Sequence, residues 1–304
     1  MTAEARRHAL AHPRHWPTWA LLGMLRAAAR LPAPVTAAAG SALGLLLYAL
    51  HAPRRRVAQT NIARCFPELG ARERRRLARR HFRVLGASTL EVAVAWWASP
   101  ARLRRHTRVR GRAHLEAALG AKRNVILLAP HFVGLETGGI RLSLETPLVA
   151  VFDFFRNPVL HAVVPRARAR FGLKLVANNQ SFTALVRALK SGIPLYYLPD
   201  QDAGRRNSVF APFFGVPAAT FTTLARLARM TDAVVIPCAT YRRARGRYEI
   251  VFYPPLADFP GGDALADATR MNAAIEQAVR AHPEQYFWVH KRFKTRPPGE
   301  PPFY

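Results

Sequence analysis

The stretch NVILLAPHFVGLETGG (residues 124–139) passes from an unbroken apolar run, Val125–Ala129, through Pro130 to His131, and places a carboxylate at Glu136. An apolar run without alternation, bounded by turn residues, fits a strand buried on both faces of a sheet. His131 then stands just past the C-terminal end of that strand, the edge at which open α/β sheets bind ligands. A helix beginning near Gly134 puts Glu136 in its first turn, where the helix dipole favours a carboxylate.

A spacing of five turns through about 500°, so one continuous helix leaves the two side chains some 140° apart. They meet only if His131 lies in the turn and the chain folds Glu136 back beneath it. That arrangement makes an oriented base: the carboxylate holds one imidazole nitrogen and the other is free to take a proton. The competing reading is a capping histidine beside a dipole-paired glutamate, and the spacing alone favours it. The chain has no G-x-S-x-G elbow, which leaves a base acting directly on a substrate hydroxyl.

Further apolar runs follow the same texture: residues 147–152, 173–177, 194–199, 233–241 and 248–253, with helical candidates at 181–191, 219–231 and 263–282. Strand–helix alternation of this kind predicts an α/β fold, a mostly parallel mixed sheet flanked by helices. Three regions separate along the chain: an N-terminal membrane-associating segment over 1–52, a helical subregion over 53–108, and an α/β core over 109–304 with an irregular proline-rich tail. In the helical subregion Leu77, Phe82, Leu85, Thr89 and Val92 recur near helical spacing.

The N-terminal segment is apolar and helical, and basic residues flank it: Arg6, Arg7 and Arg14 before, Arg54, Arg55 and Arg56 after. Val35–Leu50 as a helix is about 24 Å long, short of the roughly 30 Å hydrocarbon core. Arginine on both sides argues against one clean span and for helices lying in the interface or a shallow hairpin. The formal charge of +28, carried by arginine with only five lysines, calls for an anionic partner: nucleic acid, anionic lipid or an acidic carrier protein. Cys65 and Cys238 have no metal-ligand or redox spacing and read as lone buried thiols.

A second polar stretch, PDQDAGRRNSVFAPFFGVPAAT (199–220), follows the run at 194–199 and emerges at the same sheet edge if the strands are parallel. Asp200 and Asp202 at i and i+2 are a weak magnesium pattern without a third ligand; bonding loop amides or arginines is the commoner use. Phe210, Phe213 and Phe214 fit either an apolar slot or a buried loop. Arg166, Arg168 and Arg170 do not share a helical face; one of them suffices to hold a phosphate or a developing oxyanion. In FWVHKRFKTRPP (287–298), Trp288 and Phe293 among basic residues suit nucleic acid or phosphate headgroups.

NIARCFPE (61–68), HFVGLE (131–136), the 199–220 stretch and WVHKRFKTRPPGE (288–300), in that order, together resemble the late acyltransferases of lipid A biosynthesis. These are lauroyl and myristoyl transferases within the lysophospholipid acyltransferase superfamily, with a glycerol-3-phosphate acyltransferase-like fold. The resemblance implies transfer of a fatty acyl chain from acyl carrier protein, as its phosphopantetheine thioester, to a hydroxyl of a lipid A precursor. It implies His131 as general base, Glu136 as its orienting carboxylate, and Arg168 as oxyanion or acceptor ligand. Asp200, Asp202 and Arg205 join Arg168 as candidates for oxyanion or substrate binding. No bound cofactor, metal or nucleic acid is implied; the expected partners are acyl carrier protein, the anionic lipid and the membrane surface. The expected location is the cytoplasmic face of a bacterial inner membrane. One departure stands out: FDFFRNP carries Phe152 and Asp153 where relatives often have tyrosine and arginine, with Arg156 three residues on. The alternatives are another hydroxyl-bearing lipid acceptor, an acyl-CoA donor, hydrolysis of the thioester, or a basic nucleic-acid-binding protein.

Overall fold

The computed structural model describes residues 10–153, 155–177 and 182–304. Arg6 and Arg7, which precede the first apolar helix, lie outside the described residues.

Five helices come first: α1 (Trp16–Ala28), α2 (Ala33–Leu50), α3 (Ala52–Cys65), α4 (Ala71–Trp97) and α5 (Pro100–His106). Then follow β1 (Thr107–Arg110), α6 (Arg112–Gly120), β2 (Val125–Leu128), α7 (Leu135–Leu142), β3 (Leu148–Phe152), α8 (Pro158–Ala169), β4 (Leu173–Ala177), α9 (Phe182–Lys190) and β5 (Leu195–Tyr197). The chain continues through β6 (Ser208–Phe213), β7 (Val216–Phe221), α10 (Thr223–Thr231), β8 (Val234–Arg242), β9 (Tyr248–Phe252) and α11 (Ala264–Ala281).

Among the described residues, seven strands form one sheet in the order β1-β9-β8-β2-β5-β3-β4. The pairs β8–β2, β2–β5, β5–β3 and β3–β4 are parallel. β9 runs antiparallel to β8 and carries β1 parallel beside it. Every residue of β2 is buried, as an apolar run between two layers of helices requires. The mixed, mostly parallel sheet agrees with the sequence.

Two elements differ from the reading. β1 is a four-residue strand, TRVR, whose alternating arginines mark a short charged edge and give no apolar run to detect. β6 and β7 form an antiparallel hairpin where a loop and the start of a helix are expected. Phe214 and Gly215 both have positive φ, 51° and 74°. They form the two-residue primed turn that matches strand twist, an unusual task for a phenylalanine. Phe213 and Phe214 are buried against Trp288 and Tyr286, so they belong to the core.

α2 packs on α4 through a small-residue face. Thr36, Gly40 and Gly44 are buried at i, i+4 and i+8, and a Cβ on Gly44 would collide with the Phe82 carbonyl, one on Gly86 with the Gly40 carbonyl. The other face of α2 stays open: Val35, Leu45, Leu46 and Leu50 are exposed, as are Trp16 and Met24 of α1. α4 buries Leu77, Phe82 and a run of small residues, while Thr89 is exposed; its buried arc follows Gly86, Ala87, Ser88 and Glu91. The tail after Lys294 is irregular, and its Tyr304 hydroxyl accepts from the Phe293 amide and donates to Asn61.

Candidate active site

β2, β5, β3 and β4 end at one edge and surround a cavity of about 280 Å³. Leu173 and Leu175 of β4, Tyr196 and Leu198 at the end of β5, and Leu135 and Ile140 of α7 give it an apolar wall. His131, Glu136 and Arg168 supply its polar groups. α7 can lie flat on the sheet because it presents glycines: a Cβ on Gly138 would collide with the Thr240 hydroxyl, and one on Gly134 would sit 2.7 Å from the Thr240 carbonyl oxygen. Gly139 lines the cavity against the Tyr196 ring.

His131 sits in the turn between β2 and α7. Its backbone amide donates to Asp200 Oδ2 at 2.8 Å, and its ring Nδ1 donates to Asp200 Oδ1 at 2.6 Å. Both oxygens of one carboxylate therefore clasp one residue, fixing the ring and leaving Nε2 with its lone pair and no partner among the described residues. Asp200 is 1 % exposed. Burial pushes its carboxyl up, but the His131 ring and amide, with Arg292 behind, hold it below the usual carboxylate range. Tyr286 donates its hydroxyl to the Asp200 carbonyl at 3.3 Å. Arg292, itself buried, donates to the Ala219 carbonyl at 2.8 Å and the Thr220 hydroxyl at 3.1 Å.

The carboxylate bonded to the His131 ring in this structure is thus Asp200, not Glu136. Glu136 turns away from His131 and takes the Arg168 guanidinium in a forked pair, with Nε donating to Oε2 at 3.0 Å and Nη2 to Oε1. The reason is the local geometry. Glu136 is the second residue of α7, where its side chain follows the helix toward α8, while Asp200 arrives from the end of β5, directly beside β2. Each Asp200 oxygen accepts from His131, and Asp200 is absent from the residues lining the cavity.

Asp202, two residues on, accepts from the Thr295 amide and hydroxyl at 2.9 Å each and lies outside the cavity lining. Arg205 is exposed and also outside the lining. No group of three metal-ligating side chains forms among the described residues. Asp153 and Phe152 both line the cavity, whereas Arg156 is exposed outside it, so Arg156 does not take the place of an arginine at 153. Trp288 and Phe293 are buried core residues, which removes them from any basic-aromatic binding surface.

Residues not recognised as part of the site in the sequence are His290, Tyr286, Arg292 and Asn61. Asn61 donates to the Trp288 and His290 carbonyls at 2.7 Å each, tying α3 to the segment behind His131. His290 accepts from the Asp202 amide at 3.3 Å. Burial, then the charges of His131 and Arg292, push its imidazole down to about 4 against the opposing pull of Asp200 and Asp202. A signal was present in the motif 288–300, whose order after 199–220 tied the two stretches together.

Comparison with known proteins shows the family. A family profile described as "Bacterial lipid A biosynthesis acyltransferase" matches residues 4–295. The lipid A biosynthesis lauroyltransferase of Escherichia coli (strain K12) is 36% identical over 298 residues, 97% of each chain. The palmitoleoyltransferase of the same organism is 35% identical over 295 residues, 96% of each chain. Its myristoyltransferase is 30% identical over 291 residues, 95% of this chain and 90% of that protein. The chain is an acyltransferase and belongs to the bacterial lipid A biosynthesis acyltransferase family.

Proposed function

We propose that this chain transfers a fatty acyl group from the thioester of acyl carrier protein to a hydroxyl of a lipid A precursor. The observation that carries the reading is His131 clasped by Asp200 at the mouth of an apolar cavity that also holds the Glu136–Arg168 pair. An acyl chain lies against Leu173, Leu175 and Ile140, with its thioester carbonyl at the polar mouth.

His131 Nε2 takes the proton of the acceptor hydroxyl as that oxygen attacks the carbonyl carbon. Asp200 stabilises the imidazolium that forms and remains ionised. Arg168 keeps Nη1 outside its bonds to Glu136, and its guanidinium offsets the negative charge on the tetrahedral oxygen. Collapse breaks the carbon–sulfur bond; the thiolate leaves and recovers the proton from Nε2. Glu136 fixes the plane of the Arg168 fork.

α1 and α2 hold the chain on the cytoplasmic face of the inner membrane. α2 is 18 residues, about 27 Å, but one of its faces is committed to α4, which carries Arg75, Arg76, Arg79 and Arg80. A helix bonded in this way to a basic, hydrated neighbour lies in the interface with its open face in the lipid. Asn157, at the start of α8 beside the cavity mouth, donates to the Thr18 hydroxyl of α1 at 2.9 Å, so the mouth lies next to that lipid-facing surface.

The test is the full chain in neutral detergent with acyl carrier thioester and lipid A precursor, followed by mass spectrometry of the acceptor. The expected result is a gain of one acyl chain with one thiol released. Release of free fatty acid with the acceptor mass unchanged means a thioesterase instead. Equal turnover with acyl-CoA removes the carrier protein from the reading.

A further inference from the structure

Three elements converge on a second concavity of about 530 Å³. α5 brings Arg105 and His106 at its C-terminus, β1 brings Arg108, and the 3-10 turn Ala244–Gly246 between β8 and β9 brings Arg243, Arg245 and Arg247. Arg242 at the end of β8 pairs with Tyr248, and Tyr248 with Thr107. Since β8 is parallel to β2, this groove lies on the same sheet edge as His131. Three strand spacings separate β1 from β2, roughly 14 Å.

The groove is basic, with one carboxylate among its lining residues. Its carboxylate, Glu249, is already bonded to Arg243, with Nε donating at 3.0 Å, and Arg110 stands 3.7 Å away. Among the described residues, Arg105, Arg108, Arg245 and Arg247 make no ion pair or side-chain hydrogen bond and are exposed. Arginine at the end of α5 suits the helix dipole, and arginine on β1 protects a sheet edge. Those roles account for Arg105 and Arg108 one at a time. They do not account for Arg245 and Arg247 being brought from another part of the chain onto the same concavity. Arg245 is held there at φ 57°, a conformation that costs a non-glycine residue about 1 kcal/mol or more. Like charges gathered in this way repel, and an anion with several acceptor oxygens relieves the repulsion through charge-assisted bonds.

The surroundings identify the source of that anion. Gly246 packs under Ala33, the first residue of α2, and Arg102 of α5 donates to the Leu31 carbonyl. The groove therefore abuts the α1–α2 turn and the start of α2, where Leu31 and Val35 are 45% and 49% exposed. Headgroup phosphate beside open apolar side chains is the arrangement of a lipid at an interface. Tyr248, which lines the groove, also faces Gly134 of the catalytic turn; a Cβ there would be 3.0 Å from its ring.

We propose that this groove binds the phosphate of a membrane lipid headgroup, with preference for a phosphomonoester, at a site distinct from the His131 cavity. The assignment stands apart from the acyl-transfer reading, which survives if the groove binds nothing.

Binding is measured with the full chain in neutral detergent micelles doped with phosphatidic acid, phosphatidylglycerol or neither, with inorganic phosphate as a competitor. Arg245→Gln/Arg247→Gln and Arg105→Gln/Arg108→Gln each weaken phosphatidic acid binding by about tenfold or more. Phosphatidylglycerol binds the parent less tightly than phosphatidic acid. Arg75→Gln/Arg76→Gln on α4 retains the parent affinity. Equal loss in the α4 variant reduces the effect to general surface charge and overturns the proposal, as does unchanged affinity in both groove variants. Inorganic phosphate competing as tightly as the lipid makes the ligand a free anion and also overturns it. The two groove pairs lie on different elements, so a folding defect in one leaves the other to decide.

Discussion

Two carboxylates serve the same cavity under different conditions. Asp200 is almost fully buried, accepts from the amide and ring of His131, and has Tyr286 and Arg292 behind its loop. Glu136 and Arg168 are each about one-fifth exposed and satisfy one another. The first carboxylate is fixed by everything around it; the second is fixed by one partner. The resemblance implies Glu136 as the partner of His131, yet in the structure the residue 69 positions away holds the ring. Strand adjacency, β5 beside β2, outweighs a spacing of five along the chain.

The sharpest way to break this comparison is to neutralise each carboxylate in turn. Asp200→Asn presents an amide to Nδ1 and favours the wrong tautomer, so kcat falls by roughly 10³–10⁴-fold, close to His131→Ala. Glu136→Gln lowers it by roughly 10–100-fold, through a loosened Arg168. Steady-state turnover of both variants against the parent reads the difference. If Glu136→Gln is the more damaging with Asp200→Asn near parent, Glu136 orients His131 during turnover and the resting clasp is not the catalytic one.

Acid separates the buried cluster from the cavity pair next. His81, fully buried with Nδ1 donating to the Glu284 carbonyl at 3.1 Å, is pushed down to about 4 by burial. His290 is also pushed down to about 4. The unfolded chain takes up these protons near 6.5, so between pH 6.5 and 4 the folded state binds fewer protons. Stability is present above 6.5 and is lost as pH falls toward 4. For His81 the loss is on the order of 3 kcal/mol. Asp200, whose carboxyl is depressed, adds its loss only below its unfolded value of 3.8. Denaturant melts across this range show the slope, and His81→Gln flattens it; an unchanged slope puts the protons elsewhere.

Much of the fold was legible because it rests on continuous apolar runs. The segment 173–177 predicted β4 to the residue, and 124–129 and 248–253 bracketed β2 and β9. β1 was not legible, since a charged edge strand carries no apolar signal. The β6–β7 hairpin was missed because its turn is Phe214-Gly215 rather than a pair with an asparagine. At the site, His131 could be placed from the end of its strand and Arg168 from the resemblance, but the His131–Asp200 contact joins two strand ends and depends on strand order, and the Glu136–Arg168 contact joins two helices. That order, β2 next to β5 with β3 beyond, is not written in any local pattern.

The Glu136–Arg168 pair gives a smaller, sharper test. Removing either partner leaves a charge at the cavity mouth without its complement, so Glu136→Gln and Arg168→Gln each reduce kcat. The double variant is then less impaired than the product of the two singles, with a coupling of about 1–2 kcal/mol. Additive effects show that the pair does not act as a unit, and that Glu136 contributes to turnover by another route.

The smallest effect concerns Asp202, the near neighbour that resembles Asp200 in sequence and differs in use. Its oxygens hold the Thr295 amide and hydroxyl, and its amide meets His290, so it anchors the C-terminal segment to the loop behind His131. Asp202→Asn keeps one acceptor oxygen for Thr295 and costs about 1 kcal/mol of stability. Its kcat stays within about threefold of the parent, because the Asp200 clasp is made by different atoms. Denaturant midpoints and turnover measured together decide the point. A fall in kcat like that of Asp200→Asn, with stability intact, makes the two aspartates one functional unit and ends the distinction between a carboxylate that orients the base and one that fastens the chain.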